Sequence, residues 1–170
     1  FTPLEGLMMG TRSGDLDPSI IFYLLERGFT VKQLNEILNK KSGLLGLSGI
    51  SNDLRDIEAA AENGDVNAQE TLDAYAYRIR KFIGAYVANL VKVDILVFTG
   101  GIGQFGVKMR RRICTKLENI GIVIDYHMNL ENGCKMGIIS KKYSPITILV
   151  IPTNEELQIA MDTQELLFGS

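Results

Sequence analysis

Several short stretches of this chain combine residue types suited to phosphate chemistry. In Gly10-Thr11-Arg12-Ser13-Gly14-Asp15-Leu16-Asp17-Pro18 an arginine stands among small residues just ahead of a helix start. Small neighbours let a ligand approach the backbone closely. A guanidinium is always charged and forms paired hydrogen bonds, which suits phosphoryl oxygens. The same pattern also suits a surface arginine paired with Asp15 or Asp17, an arrangement of little energetic weight.

In Gly49-Ile50-Ser51-Asn52-Asp53-Leu54-Arg55-Asp56 polar side chains gather at a second helix start. There Asp53 can accept hydrogen bonds from a ribose or a base, and Arg55 can lie against a base or a phosphate. Capping by Ser51, Asn52 or Asp53, with Arg55 exposed, accounts for the same residues. Phe98-Thr99-Gly100-Gly101-Ile102-Gly103-Gln104-Phe105 is an apolar run that ends in glycines. Such a strand end either cradles a phosphate or nucleoside against backbone N–H groups or makes a tight strand-to-helix turn. It lacks the Gly-Lys-Ser/Thr of a Walker A loop and the full dinucleotide-binding spacing. In Ile151-Pro152-Thr153-Asn154-Glu155-Glu156 the spacing from Thr153 to Glu156 fits a capping box. That leaves Glu155 as a lone carboxylate at a strand end. It is suited to holding Mg²⁺ through oxygen or water, or to a first-turn position favoured by the helix dipole.

The remaining reactive residue types carry less. His127 is the only histidine and has no metal-ligand spacing around it; it reads as a loop residue. Cys114 and Cys134 are the two cysteines, without a CxxC pattern, and read as reduced structural thiols of a cytoplasmic protein. Arg110, Arg111 and Arg112 form the one basic cluster and read as a solvated helix face.

These residues need elements to hold them. Asp17-Pro18 predicts a helix running to about Glu26 and ending near Gly28. Thr30 and Gln33 predict a capping box before the apolar positions Leu34, Ile37 and Leu38. A Gly/Ser-rich loop is expected over residues 42–49 and a helix over 53–62, stopped by Asn63-Gly64. The longest helix is expected over 67–91. Ala68, Leu72, Tyr75, Ala76, Ile79, Phe82, Ile83, Tyr86, Val87 and Leu90 make its apolar stripe. Residues 94–98 read as a buried parallel strand and 107–119 as a helix. Residues 122–124 and 137–139 read as short strands, 146–151 as a second strong strand, and the chain to about Leu167 as a final helix. The second half is thus an α/β pattern with loops at the carboxyl ends of strands, where open sheets bind ligands.

Composition narrows the classes. The chain has 170 residues, 46% apolar and 22% charged, enough for one domain with its own core. With 18 basic and 20 acidic residues and a net charge of -2, it has no electrostatic case for nucleic acid or an anionic membrane. No apolar run is long enough to span a bilayer. Residues 1–6 read like the middle of a loop rather than a signal peptide, and the chain is expected to be a piece of a longer protein.

Together and in order, these segments resemble the acetokinase family. The resemblance rests on Phe1-Thr2-Pro3-Leu4-Glu5-Gly6, Gly10-Thr11-Arg12-Ser13-Gly14-Asp15, Gly46-Leu47-Ser48-Gly49 and Asp53-Leu54-Arg55-Asp56. It continues through Val97-Phe98-Thr99-Gly100-Gly101-Ile102-Gly103 and Ile151-Pro152-Thr153-Asn154-Glu155-Glu156-Leu157. It implies an α/β fold: a partial C-terminal domain of the acetate and sugar kinase, Hsc70 and actin (ribonuclease H-like) superfamily, helix-rich with a reduced sheet. It implies reversible transfer of a phosphoryl group between ATP and acetate, giving acetyl phosphate and ADP, with Mg²⁺ or Mn²⁺. Arg12 would stabilise charge on the transferring group. Asp53, Leu54 and Arg55 would line the adenosine site. Gly101, Ile102, Gly103, Gln104 and Phe105 would form a second nucleotide loop, and Glu155 would help hold the metal. For all this, Arg12 and Glu155 must converge around a phosphate near the glycine turn. A cytoplasmic homodimer, paired near the long helix, is also implied.

The chain departs from the family at Gln104 and Phe105, where a Glu and a polar residue are usual, so adenine is expected to be held differently. The family's N-terminal portion is absent from the sequence, with its phosphate-binding loop, catalytic Asp, other active-site Arg and His, and metal-binding Asn. The chain alone is therefore expected to be inactive, serving as a nucleotide-binding and dimerisation piece. A propionate or butyrate kinase, and a phosphoryl donor other than ATP, remain as other readings.

Overall fold

In the computed structural model residues 6–169 are described; Phe1-Thr2-Pro3-Leu4-Glu5, the start of the first matching segment, lies outside them. The chain divides into two compact units, Phe1–Lys92 and Val93–Ser170.

The first unit is built on one long helix. Asp65 accepts a hydrogen bond from the Ala68 N–H and so starts it. Counting from the N-terminus, α1 spans Ser19–Glu26, α2 Val31–Lys40, α3 Gly43–Ser48, α4 Leu54–Glu62 and α5 Val66–Asn89. The Thr30/Gln33 capping box opens α2 as the spacing predicts. Asp17 accepts from the Ser19 N–H at 2.9 Å, and α1 begins one residue after Pro18. Helices α3 and α4 pack on α5. Leu44, Leu54, Ile57 and Ala61 meet Ala68, Leu72, Tyr75 and Ala76 in the core. Only the first half of the apolar stripe of α5 is buried; Tyr86 and Leu90 are exposed. The loop expected over 42–49 is instead α3, because burial of Leu44 outweighs the poor helix propensity of the glycines. Gly49 ends it in the left-handed region at φ 67°.

The second unit holds a small mixed sheet. Its elements are β1 (Ile95–Phe98), α6 (Gly100–Phe105), α7 (Val107–Cys114), a 3₁₀ turn (Glu118–Ile120), α8 (Tyr126–Asn132), β2 (Gly137–Ile138), β3 (Thr147–Val150) and α9 (Glu155–Phe168). The strand order is β1-β3-β2, with β1 parallel and β2 antiparallel to β3. Residues 122–124 contribute only single bridges, Ile122 to Ile146 and Ile124 to Ser140. Strand β3 alternates, burying Ile148 and Val150. Each fully buried aliphatic side chain contributes about 1.5–3 kcal/mol. The expectation of a buried first strand is corrected: among the described residues β1 pairs only with β3, and Ile95 and Val97 are exposed. The helix expected over 107–119 ends at Cys114. The loop expected around His127 is helix α8, started by Asp125, which accepts from the His127 and Met128 N–H groups. The helix-rich α/β character with a reduced sheet is as expected.

Candidate functional site

In the first unit the residues around Arg12 are held by backbone bonds to the start of α3. The N–H groups of Ser42, Leu44 and Leu45 donate to the carbonyls of Thr11, Met9 and Gly10. Gly43 (φ 62°) is required at this crossing, because a Cβ would run into the Met9 and Arg12 carbonyls. Gly14 (φ 73°) lies against the Gly6 carbonyl and the Met8 N–H in the same way. From α5, Arg78 donates to the Gly6 carbonyl at 3.1 Å and to Asp15 at 3.0 Å. So Asp15 pairs with Arg78 and Asp17 caps α1. Arg12 is half-buried, and its guanidinium has no hydrogen-bond or ion-pair partner among the described residues.

The Arg12 segment meets the Asp53 segment directly. A Cβ on Gly10 would sit 3.0 Å from the Asn52 carbonyl oxygen. Asp53 caps α4 by accepting from the Arg55 N–H at 2.9 Å. The Arg55 side chain folds back onto the same carboxylate, with Nε 3.0 Å from Oδ1. The hydrogen bonds from Arg55 hold the Asp53 carboxyl down at about 2, against an ordinary value of 3.8. Ser51 steadies the turn, donating to Asp56 at 2.7 Å and accepting from the Asp53 N–H at 3.0 Å. Arg55 is otherwise open to solvent, its side chain 88% exposed. Leu54 is 7% exposed, so its side chain belongs to the core.

In the second unit the remaining segments follow neighbouring parallel strands. Phe98 ends β1 opposite Val150, the last residue of β3. Residues 100–105 therefore start, and Glu155 follows, at the same carboxyl edge of the sheet. The stretch Gly101, Ile102, Gly103, Gln104 and Phe105 is a short helix rather than an open loop. A Cβ on Gly100 or Gly101 would meet nothing within 4 Å, so both face open space. Phe105 is 64% exposed. Gln104 turns its side chain to the Cys134 carbonyl at 3.1 Å.

Glu155 is the first residue of α9, exposed and without a hydrogen-bond or ion-pair partner among the described residues. The capping box assigned to Thr153 and Glu156 does not form. Asn154 caps α9 instead, accepting from the Leu157 N–H at 3.0 Å. Asparagine is at least as strong an N-cap as threonine, and this shift puts Leu157, not Glu156, at the third helical position. Among the described residues no three His, Cys, Asp or Glu side chains gather into a metal-binding group.

Sequence reasoning missed one residue altogether. Arg110, read as part of a solvated face, is 0% exposed. It donates from Nη1 to the carbonyls of Gly103 at 2.9 Å and Gln104 at 2.6 Å. It also donates from Nη2 to the Gly133 carbonyl at 2.7 Å and from Nε to Asn129 at 2.8 Å. Burial pulls its pKa down from the ordinary arginine value, yet an arginine stays charged. The neighbouring Arg111 lies over the Tyr126 ring at 4.6 Å. No local signal separates Arg110 from Arg111 and Arg112. His127 is exposed, 3.2 Å from Glu131. Burial pushes the Cys114 thiol up to about 12, which suits the structural role expected of it.

Comparison with known proteins finds a match to the acetokinase family over residues 1–161. The acetate kinase of Thermoanaerobacter pseudethanolicus is 52% identical over 171 residues, covering 99% of this chain and 42% of the relative. The crystal structure of Porphyromonas gingivalis acetate kinase superposes with a TM-score of 0.90 at 48% identity, over 98% of this chain and 42% of that one. A propionate kinase from Francisella tularensis superposes with a TM-score of 0.88 at 43% identity, over 95% of this chain and 41% of that one. The chain thus spans about 42% of the length of the curated acetate kinases it matches.

Proposed function

Because the chain belongs to the acetokinase family, we propose that it is the nucleotide-binding C-terminal part of an ATP-dependent acetate kinase. The parent enzyme would transfer a phosphoryl group reversibly between ATP and acetate, giving acetyl phosphate and ADP. The observation that carries this reading is the shared edge of β1 and β3. Two glycines facing open space and an uncommitted carboxylate follow the carboxyl ends of two strands that finish in register. Ligands of open α/β sheets bind at such edges.

Phosphoryl transfer relies on positioning and on electrostatic stabilisation of the moving group. Arg12 has the chemistry for the second task, being a half-buried cation with no protein partner among the described residues. Asp53 and Arg55, with the backbone of Leu54, would line the adenosine site. Gly101, Ile102, Gly103, Gln104 and Phe105 would form the second nucleotide segment, with the exposed Phe105 ring open to a base. Glu155 fits a magnesium or manganese ion as one oxygen donor beside nucleotide phosphates, the usual mixed coordination of such ions. When bound, the ion supplies charge neutralisation on the phosphate oxygens.

A homodimer in the cytoplasm completes the proposal. Exposed Tyr86 and Leu90 at the far end of α5 support an interface there. The chain alone would turn over no substrate, since the residues it carries make half of a site. The likeness to a propionate kinase favours a second reading, in which propionate is the acyl substrate. The test is acyl phosphate formation, trapped as the hydroxamate, by the full-length protein carrying this chain. Acetate and propionate are compared with wild type and Arg12→Ala. A loss in kcat of about 10³-fold or more, with KM little changed, is expected for Arg12→Ala. A change in KM alone would overturn the role given to Arg12. Turnover by the 170-residue chain itself would refute the half-site.

A further inference from the structure

Arg110 is a buried cation that the reaction outlined above does not use. Its four hydrogen bonds all go to neutral oxygens. Burying a charge away from water is costly unless its hydrogen bonds are satisfied, and usually a carboxylate provides the partner. Here helix ends take that place. Gly103 and Gln104 lie in the last turn of α6, and Gly133 is the residue that ends α8. The last carbonyls of a helix have no partner within it and carry its negative dipole end. One guanidinium thus closes the C-terminal ends of two short helices.

Helix α6 has six residues, too few to be stable by itself. Something outside it must set its direction. Arg110 holds its C-terminal end, and Gln104 reaches from the same end to the Cys134 carbonyl. Asn129 orients the guanidinium by accepting from Nε, and is itself fixed by donating to the Val107 carbonyl at 2.9 Å. The opposite end of α6 carries Gly100 and Gly101, which face open space at the edge of the sheet. The groups that hold α6 therefore sit at one end, and the open glycines at the other.

We propose that Arg110 is a positioning residue that, by binding the Gly103, Gln104 and Gly133 carbonyls, aims residues 101–105 at the nucleotide. This rests on the reading of those residues as a nucleotide segment. Arg110 touches no substrate and acts through the backbone of α6. A lysine has one point charge and no planar fork, so it cannot hold both helix ends in the same geometry.

The test uses the full-length protein that carries this chain, with Arg110→Lys, Arg110→Met and Asn129→Ala. KM for ADP, KM for acetyl phosphate and kcat are measured beside the thermal midpoint. Loss of a hydrogen bond to a charged group corresponds to about tenfold in an equilibrium. The KM for ADP should rise about tenfold in Arg110→Lys and further in Arg110→Met, with the KM for acetyl phosphate unchanged. Asn129→Ala should shift the same constant in the same direction, and it decides the matter if the Arg110 variants do not fold. An unchanged KM for ADP in a folded variant overturns the proposal. So does a parallel loss of all kinetic constants that follows the thermal midpoint. Wild-type protein with no saturable response to ADP would instead sink the nucleotide reading itself.

Discussion

Ile151 donates its backbone N–H to the Phe98 carbonyl at 2.9 Å, one step past the last paired residues of the parallel strands β1 and β3. The two strands therefore release their chains at the same level. The glycine segment leaves from one and the Glu155 segment from the other. Residues more than fifty positions apart in sequence reach one edge because a parallel pair must be joined by a long crossover (residues 99–146 here).

The turn that presents Arg12 depends on glycine backbone. Gly14→Ala places a side chain at φ 73° and against the Gly6 carbonyl and Met8 N–H. A left-handed non-glycine residue costs about 1–3 kcal/mol before any clash is counted. Denaturant unfolding should show at least that loss. Unchanged stability would mean that the turn has room to relax.

Asp53 should make stability depend on pH in a defined window. Its folded pKa is about 2 against an ordinary 3.8. A depressed carboxylate contributes stability that is present above its unfolded pKa and is lost as pH falls through its folded one. Asp53→Asn keeps a capping side chain but removes the charge. The thermal midpoint of wild type should therefore exceed that of Asp53→Asn above pH 4, and the gap should close toward pH 2. A gap that persists at pH 2 would mean that the Arg55 pairing is not its source.

The two thiols should behave differently. Cys114 is buried, with its thiol pushed up to about 12, whereas Cys134 is exposed. Brief alkylation of the native chain at pH 8, read by peptide mass spectrometry, should modify Cys134 and spare Cys114. Denaturant should expose both. Equal modification of the native chain would contradict the packing of α7.

Glu155 is tested by metal dependence in the full-length protein. Glu155→Gln keeps the size and the helix start, which Asn154 caps. It should raise the Mg²⁺ concentration needed for half-maximal rate about tenfold or more, by analogy with loss of a charged partner. An unchanged requirement would overturn the metal-holding role proposed for Glu155.

Much of this protein is written in short-range chemistry. The Thr30/Gln33 box, a cap among Ser51, Asn52 and Asp53, and the long helix are legible because a cap and its partners lie within one helical turn. The segments that resemble the acetokinase family are legible for the same reason: each is a contiguous stretch. Other features depended on what folding brings near. Residues 42–49 looked like a loop until Leu44 found a core to enter. Thr153 was expected to cap α9, and in the folded chain Asn154 does so instead. Arg110 reads like Arg111 and Arg112 in any local window. It becomes the centre of its unit only because helix ends 6, 7 and 23 residues away turn their carbonyls toward it. A linear chain states which groups need partners; only its tertiary path decides which partners arrive, because burial and long-range hydrogen bonds have no signature in neighbouring residues.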